Sequence, residues 1–262
     1  MLDEIISIVK KCGNIILLAE NADSSEAIRT KEGRANFVTK YDVAVQSYLQ
    51  EELLKLVPDA IFFGEEGEHT REDLAHGYAF IVDPIDGTTN FIKGYKKSCI
   101  SVGLSLDGEI LMGVIFNPYT NEAFYAERGK GAFLNGEPIH VTDHPLGEGL
   151  VCFGTAPYYA EYIDTTFDNA KLLHRASLDI RRSGSAALDL CDIASGRCEL
   201  FFECRLSPWD YAAGSILVTE AGGRISRMDG SPLSFDHGCS VLAGNQPSWE
   251  GYFALPGHTE LS

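Results

Sequence analysis

Apolar residues recur at helical spacing from the start of the chain. Leu2, Ile5, Ile6, Val9, Cys12, Ile15, Ile16 and Leu18 share one face of a helix over residues 2–19. Polar residues fill Asn21–Asn36, which reads as a turn or loop carrying Lys31 and Gly33. A second helical stripe, Val43, Val45, Tyr48, Leu49, Leu53 and Leu54, predicts a helix over Tyr41–Val57, closed by Pro58. The period then changes. Ala60–Phe63 and Tyr78–Val82 are short continuous apolar runs, as in buried strands. Cys99–Leu106, Glu109–Phe116 and Glu122–Glu127 predict an antiparallel meander that turns at Asp107-Gly108 and at Asn117-Pro118-Tyr119-Thr120. Asn135-Gly136 marks another hairpin.

Beyond about residue 145 the pattern alternates. Val151–Gly154, Leu200–Glu203, Arg224–Arg227 and Cys239–Ala243 read as strands. Ala186–Ser195, entered at Gly184-Ser185, and Asp210–Ala221, ended by Gly222-Gly223, read as helices. There are no repeats and no low-complexity linker. The expected organisation is an N-terminal α+β subdomain over 1–145 packed on a C-terminal α/β subdomain over 146–262, as one unit.

Composition narrows the function. The 262 residues are 45% hydrophobic, enough for a large core. A formal net charge of −17 makes nucleic acid an unlikely ligand and admits a small anion only where local cations reverse the field. The seven cysteines form no C-x-x-C pair, and no basic segment followed by an apolar one opens the chain. This predicts a reduced, cytoplasmic protein with buried thiols. No apolar run approaches the roughly 20 residues of a membrane span.

The candidate chemistry sits where apolar runs stop on acids: Phe62-Phe63-Gly64-Glu65-Glu66, Val82-Asp83-Pro84-Ile85-Asp86 and Trp209-Asp210. Pro84 holds Asp83 extended. Gly87 permits a sharp turn, and Gly87-Thr88-Thr89 can open a helix whose free N–H groups face an anion. Acids suited to cations thus stand beside donors suited to phosphate. Carboxylates without His or Cys favour a hard ion, and Mg²⁺ fits. Each signal alone has a plain alternative: Asp86-Gly87 a turn, Asp210 a helix cap, Glu65-Glu66 a solvated loop. Their co-occurrence carries the reading. His140 and His144 do not read as a zinc pair, and Gly129-Lys130-Gly131 lacks phosphate-loop spacing.

The blocks GEE at 64–66, DPIDGTTNF at 83–91 and PWDYAAGSILVTEAGG at 208–223 resemble those of the inositol monophosphatase family, Mg²⁺-dependent, lithium-sensitive phosphomonoesterases. Weaker likeness runs from the first helix to Ala243-Gly244-Asn245. The resemblance implies an α+β fold, a layered αβαβα sandwich, and a homodimer. It implies two or three Mg²⁺ ions, the first held by Glu65, Asp83 and the Ile85 carbonyl, the second by Asp83, Asp86 and Asp210. Gly87 and Thr88 would offer backbone N–H groups to phosphate. Glu65 and Thr88 would position a metal-activated water for in-line attack, with Asp42 pairing with Thr88 and Lys31 screening phosphate charge. Glu203 would meet substrate hydroxyls, and Gly184, Ser185 and Ala186 would line the pocket. Lys31 as a solvated loop residue, Glu203 as a strand-end surface acid, and Arg181-Arg182 as a framing or interface pair remain open alternatives. Tyr41 and Gly67 depart from family habit. The implied function is hydrolysis of a small polyol phosphate, foremost myo-inositol 1-phosphate. Fructose-1,6-bisphosphatase or NADP(H) phosphatase activity is the alternative, with a non-catalytic regulatory binder on the same fold as a rival of another class.

Overall fold

The first helix, α1 (Leu2–Ala19), buries Ile5, Ile8, Val9, Cys12 and Ile16 and leaves Lys10, Lys11 and Asn14 in water. The chain is described by a computed structural model over residues 1–19, 28–30, 37–67 and 74–262. Lys31 lies outside the described residues. Two short strands, β1 (Ile28–Thr30) and β2 (Phe37–Thr39), pair antiparallel. The first corrects the expectation of a loop throughout Asn21–Asn36. Its partner lies beyond that window, so no local pattern announces it.

Thr39 then starts α2 (Lys40–Leu56). Its hydroxyl accepts from the Tyr41 and Asp42 N–H groups, and the Asp42 carboxylate accepts from Thr39 N at 2.8 Å. This reciprocal cap fixes Asp42 in the first turn.

The main sheet has seven strands in the order β3 (Ile61–Gly64), β4 (Tyr78–Asp86), β5 (Cys99–Leu106), β6 (Glu109–Asn117), β7 (Glu122–Glu127), β8 (Ala132–Leu134) and β9 (Glu137–Ile139). Only β3 and β4 run parallel. Strand β4 continues past the predicted Val82 through Pro84 to Asp86. A register shift against β5 between Asp83 and Asp86 makes room for a residue without an N–H. A short helix, α3 (Thr88–Ile92), follows.

The second sheet has β10 (Leu150–Phe153) parallel to β11 (Asp179–Arg181) and β12 (Leu200–Leu206), with β13 (Arg224–Ser226) and β14 (Cys239–Gly244) antiparallel beyond. Helix α4 (Ile163–Ala176) joins β10 to β11. Helices α5 (Ala186–Ala194) and α6 (Pro208–Glu220) flank β12, and α7 (Gln246–Ala254) closes the chain. Sequence periodicity misses α4, β11 and α7. Helix α4 has buried positions at helical spacing and His174 and Arg175 in its last turn, but the residue before it, Tyr162, makes no capping hydrogen bond, and β11 is only three residues long. For α7 the cue exists: the Asn245 side chain accepts from Ser248 N at 2.8 Å, an N-cap.

Period-2 alternation sorts the layers. On β4, Phe80 and Val82 face α1 and α2, while Ala79 and Ile81 face the core shared with α5, α6 and the second sheet. Helix α6 lies close on the main sheet because Gly113 carries no side chain; a Cβ there would sit 2.5 Å from Ala213 O. On the far face of the second sheet, Val151, Phe202 and Leu242 pack against Leu173 of α4 and Tyr252 of α7. The order is helix, sheet, helix, sheet, helix: the αβαβα sandwich the sequence implied. No helix among the described residues is long and apolar enough to cross a membrane.

Candidate active site

Parallel pairing of β3 with β4 sets Gly64 beside Val82, so the next residues, Glu65 and Asp83, emerge together; Glu65 N donates to Val82 O at 3.0 Å. The Asp83 carboxylate accepts from Ile85 N at 3.0 Å, which holds the turn after Pro84. Asp86 is gripped from the second half of the chain: its Oδ2 accepts from Ala187 N at 2.9 Å and from the Ser185 hydroxyl. Asp210 comes from the first turn of α6, where one oxygen accepts from Ser207 N at 2.7 Å in a second reciprocal cap. Asp210 is thus not the N-cap itself, which is Ser207, but the third helical residue that closes the cap box. Carboxylate oxygens of Asp83, Asp86 and Asp210 lie within 4.8 Å of one another.

The backbone turns at Gly87 (φ +83°) into α3. The first N–H groups of a helix have no intrahelical partner, and Gly87 and Thr88 line the cavity with the acids. The Thr88 hydroxyl stands 3.0 Å from Ile85 O and 3.3 Å from Asp42 Oδ1. Burial pushes the Asp42 carboxyl up, and its bonds from Thr39 pull it back. Tyr41, bulkier than family habit, packs edge-on against Phe91 of α3 at 5.8 Å and so braces the same corner.

Electrostatically the cluster is incomplete as it stands. Burial drives Asp83 well above the carboxylate range, and Glu65, Asp86, Asp210 and Asp42 push in the same direction. Asp210 is raised by burial and then by Asp86. Asp86 is raised by burial, with its bonds from Ser185 and Ala187 opposing. Buried like charges demand compensation. A donor set of carboxylates plus the Ile85 carbonyl suits hard divalent cations such as Mg²⁺. A second cluster, Cys152, Asp192 and Cys198, lies outside the cavity and offers sulfur. All seven cysteines are buried and unpaired by disulfide, the state expected from sequence.

The cavity of about 570 Å³ is lined by Glu65, Asp83, Ile85, Asp86, Gly87, Thr88, Gly184, Ser185, Ala186, Glu203 and Asp210. All the predicted site residues that are described meet there except Asp42, which stands behind Thr88. Ser185 is largely engaged elsewhere: its hydroxyl holds Asp86 and its oxygen caps α5 through Leu188 N at 3.4 Å. Glu203 is no surface acid. It is 6% exposed and its Oε1 accepts from Ala156 N at 2.8 Å. Gly154 makes the room, since a Cβ there would fall 2.0 Å from the Glu203 carboxyl carbon. Ala156 holds a left-handed φ of +41° to deliver its N–H.

Burial lifts Glu203 from 4.5 to about 7, opposed by the Ala156 bond and by Arg182. A carboxyl raised on folding keeps its proton between those values, so it costs stability as pH rises through 4.5 to 7 and costs fully above 7. Glu203→Gln, which stays neutral and can still accept from Ala156, is therefore expected to stabilise the metal-free protein by about 3 kcal/mol at pH 8 and by almost nothing at pH 4. Thermal unfolding in chelator at the two pH values checks it; an equal shift at both would refute the assignment.

Sequence reasoning missed Asp189, Tyr158 and Arg205 in the lining. Asp189 is buried in the first turns of α5, burial holds its carboxyl well up, and its Oδ1 has no hydrogen-bond partner. An acid inside the apolar run Ala186–Leu190 was the available signal. Of the pair Arg181-Arg182, Arg181 bonds Asp179 outside the cavity and only Arg182 lines it.

The chain matches the model of the inositol monophosphatase family over residues 1–255. It is 36% identical over 249 residues to the protein named Nus factor SuhB of Salmonella typhimurium, covering 94% of this chain and 91% of that one. It is 39% identical over 222 residues to the inositol-1-monophosphatase of Rhizobium meliloti, covering 82% and 80%. Among solved structures, the extragenic suppressor protein suhB of Bartonella henselae superposes with a TM-score of 0.86 at 33% identity, covering 94% and 93%. With the layered fold, the acid cluster and this match over nearly its whole length, the chain belongs to the inositol monophosphatase family.

Proposed function

We propose that the protein is a Mg²⁺-dependent phosphomonoesterase acting on a small polyol phosphate, with myo-inositol 1-phosphate the first substrate to test. The observation that carries this is the convergence of Asp83, Asp86 and Asp210 within 4.8 Å beside the α3 turn. Glu65, Asp83 and the Ile85 carbonyl would hold one ion, and Asp83, Asp86 and Asp210 a second, with two or three ions in all. Bound there, the ions would supply charge neutralisation for the phosphate and acidify a water for in-line attack.

The chain's own groups do the positioning. The Gly87 and Thr88 N–H groups receive phosphate oxygens. The Thr88 hydroxyl donates toward Asp42 Oδ1 or Ile85 O and keeps its lone pairs to accept from the attacking water. Glu65 accepts the water's other proton. Glu203 accepts from a substrate hydroxyl, and Lys31 screens phosphate charge. The family supports reading the protein as a cytoplasmic, lithium-sensitive homodimer.

The test is phosphate release from inositol phosphates, fructose 1,6-bisphosphate, NADP and 3′-phosphoadenosine 5′-phosphate. Release with Mg²⁺ that disappears in chelator and falls with Li⁺ is expected; no release from any of them would end this reading. A second reading, a non-catalytic binding role, is favoured by one observation, the name Nus factor carried by the Salmonella relative. Partner capture that survives Asp83→Asn, together with absent hydrolysis, would support it.

A further inference from the structure

Two arginines line the cavity, Arg182 just beyond β11 and Arg205 on β12. In a chain with 38 acids against 21 basic residues, Arg128 pairs with Glu109, Arg181 with Asp179 and Arg197 with Glu122. Among the described residues, Arg182 and Arg205 form no ion pair with an acid. Arg182 donates to a neutral group, Thr155 Oγ1, at 3.1 Å, and Arg205 rests on the Tyr159 ring at 5.9 Å. Neither makes a further hydrogen bond or ion pair among the described residues.

Their place in the cavity is set by their neighbours. The Arg182 guanidinium lies against Gly184, where a Cβ would fall 2.5 Å from its Nη1. Its charge weighs on Glu203, whereas the charges weighing most on Asp83 are all acids. Arg205 stands two residues beyond Glu203 on the same strand, where the register against β14 shifts between Glu203 and Leu206, and both line the cavity. The cavity thus has an acidic end, at Glu65, Asp83, Asp86 and Asp210, and a basic end beside Glu203. An Arg fork outside an ion pair is a ready donor to phosphate or carboxylate oxygens.

We propose that Arg182 and Arg205 form a distal anion subsite, so that substrates carrying a second anionic group beyond the scissile phosphate are preferred over matched monoanionic-site substrates. The proposal rests on the phosphomonoesterase reading and extends it to the substrate's other end. Inositol monophosphates turn over without this contact. The scissile phosphate meets the ions and the Gly87–Thr88 amides, the hydroxyls between meet Glu203, and the second anion meets the arginines.

The experiment compares kcat/KM with Mg²⁺ on two matched pairs: fructose 1,6-bisphosphate against fructose 1-phosphate, and 3-phosphoglycerate against glycerol 3-phosphate. The first pair reports a distal phosphate and the second a distal carboxylate. The wild type is expected to favour the dianionic-end partner of at least one pair by about tenfold or more, the size of one charge-assisted contact. Arg182→Gln and Arg205→Gln are each expected to cut that ratio by about tenfold, through KM and with melting temperature near wild type. Equal rates within both pairs, or ratios untouched by both variants, overturn the subsite. If no substrate is hydrolysed, the phosphatase reading fails on its own. Calorimetric binding of fructose 1,6-bisphosphate against fructose 1-phosphate, in wild type and the double variant, then decides the subsite: a preference lost in the variant supports it, and none overturns it.

Discussion

Asp83→Asn is expected to lower Mg²⁺-dependent phosphate release by at least about a thousandfold while making the metal-free protein more stable. Asp83 is the residue on which the whole cluster converges: 2% exposed, pressed by Glu65, Asp86, Asp210 and Asp42, and bonded from Ile85 N. An acid in that setting stays ionised only when cations compensate it, and without them it is driven toward its protonated form. Removing it should relieve the fold without them and remove the bridge between the two proposed ions. The two consequences are read in one calorimetric series. Saturating Mg²⁺, at about a hundredfold above its dissociation constant, should stabilise the wild type by roughly 2.7 kcal/mol. For a chain of this size that is on the order of 5–10 °C. The variant should melt several degrees above the wild type in chelator and gain almost nothing from Mg²⁺. Activity within tenfold of wild type, or an undiminished Mg²⁺ shift, would show that Asp83 is not the bridge. Asp83→Ala leaves a hole as well as removing the charge, so Asn is the informative change.

How much of this was legible beforehand depends on range in the chain. The acids at strand ends are local signals, because Pro84 keeps Asp83 extended and disturbs the pairing there, and Gly87 then turns the chain into α3. The Thr39-x-x-Asp42 cap is equally local, and it is what places Asp42 behind Thr88. The buried positions of α4, Thr166, Asn169, Ala170 and Leu173, have helical spacing, but half are polar while Ile163 and Phe167 are exposed, so the buried face is not an apolar stripe. The grip of Ser185 and Ala187 on Asp86 joins residues about a hundred positions apart, and Arg182 meets Glu203 from outside the strand that carries it. No pattern within one helix or strand encodes such a contact. It follows from packing α5 between two sheets. The pairing of Arg181 with Asp179, which leaves Arg182 to the cavity, is decided by the three-residue strand β11, which the sequence does not announce.

Gly87→Ala is the second substitution with a large expected effect, because three separate costs meet at one methyl group. The backbone there is left-handed at φ +83°, a conformation that costs an L-residue about 1–2 kcal/mol. The added Cβ would stand 2.8 Å from Lys97 O and 3.2 Å from Gly184 O, both main-chain atoms that cannot rotate away. Either the entry to β5 or the Gly184 loop must shift, and that loop carries Ser185, which holds Asp86. A destabilisation of about 2–4 kcal/mol is expected. Activity should fall by roughly a hundredfold or more, since displacing the phosphate amides by even about 1 Å has that scale of effect. Gly94→Ala separates the costs. Gly94 shares the left-handed backbone, at φ +61°, but a Cβ there meets nothing within 4 Å. It should lose only about 1–2 kcal/mol of stability and keep near-wild-type turnover. If the two variants lose activity equally, the Gly87 turn is conformational punctuation and not a phosphate cradle. If only Gly87→Ala does, the close approach of three backbone segments at that carbon is what aims α3 at the substrate.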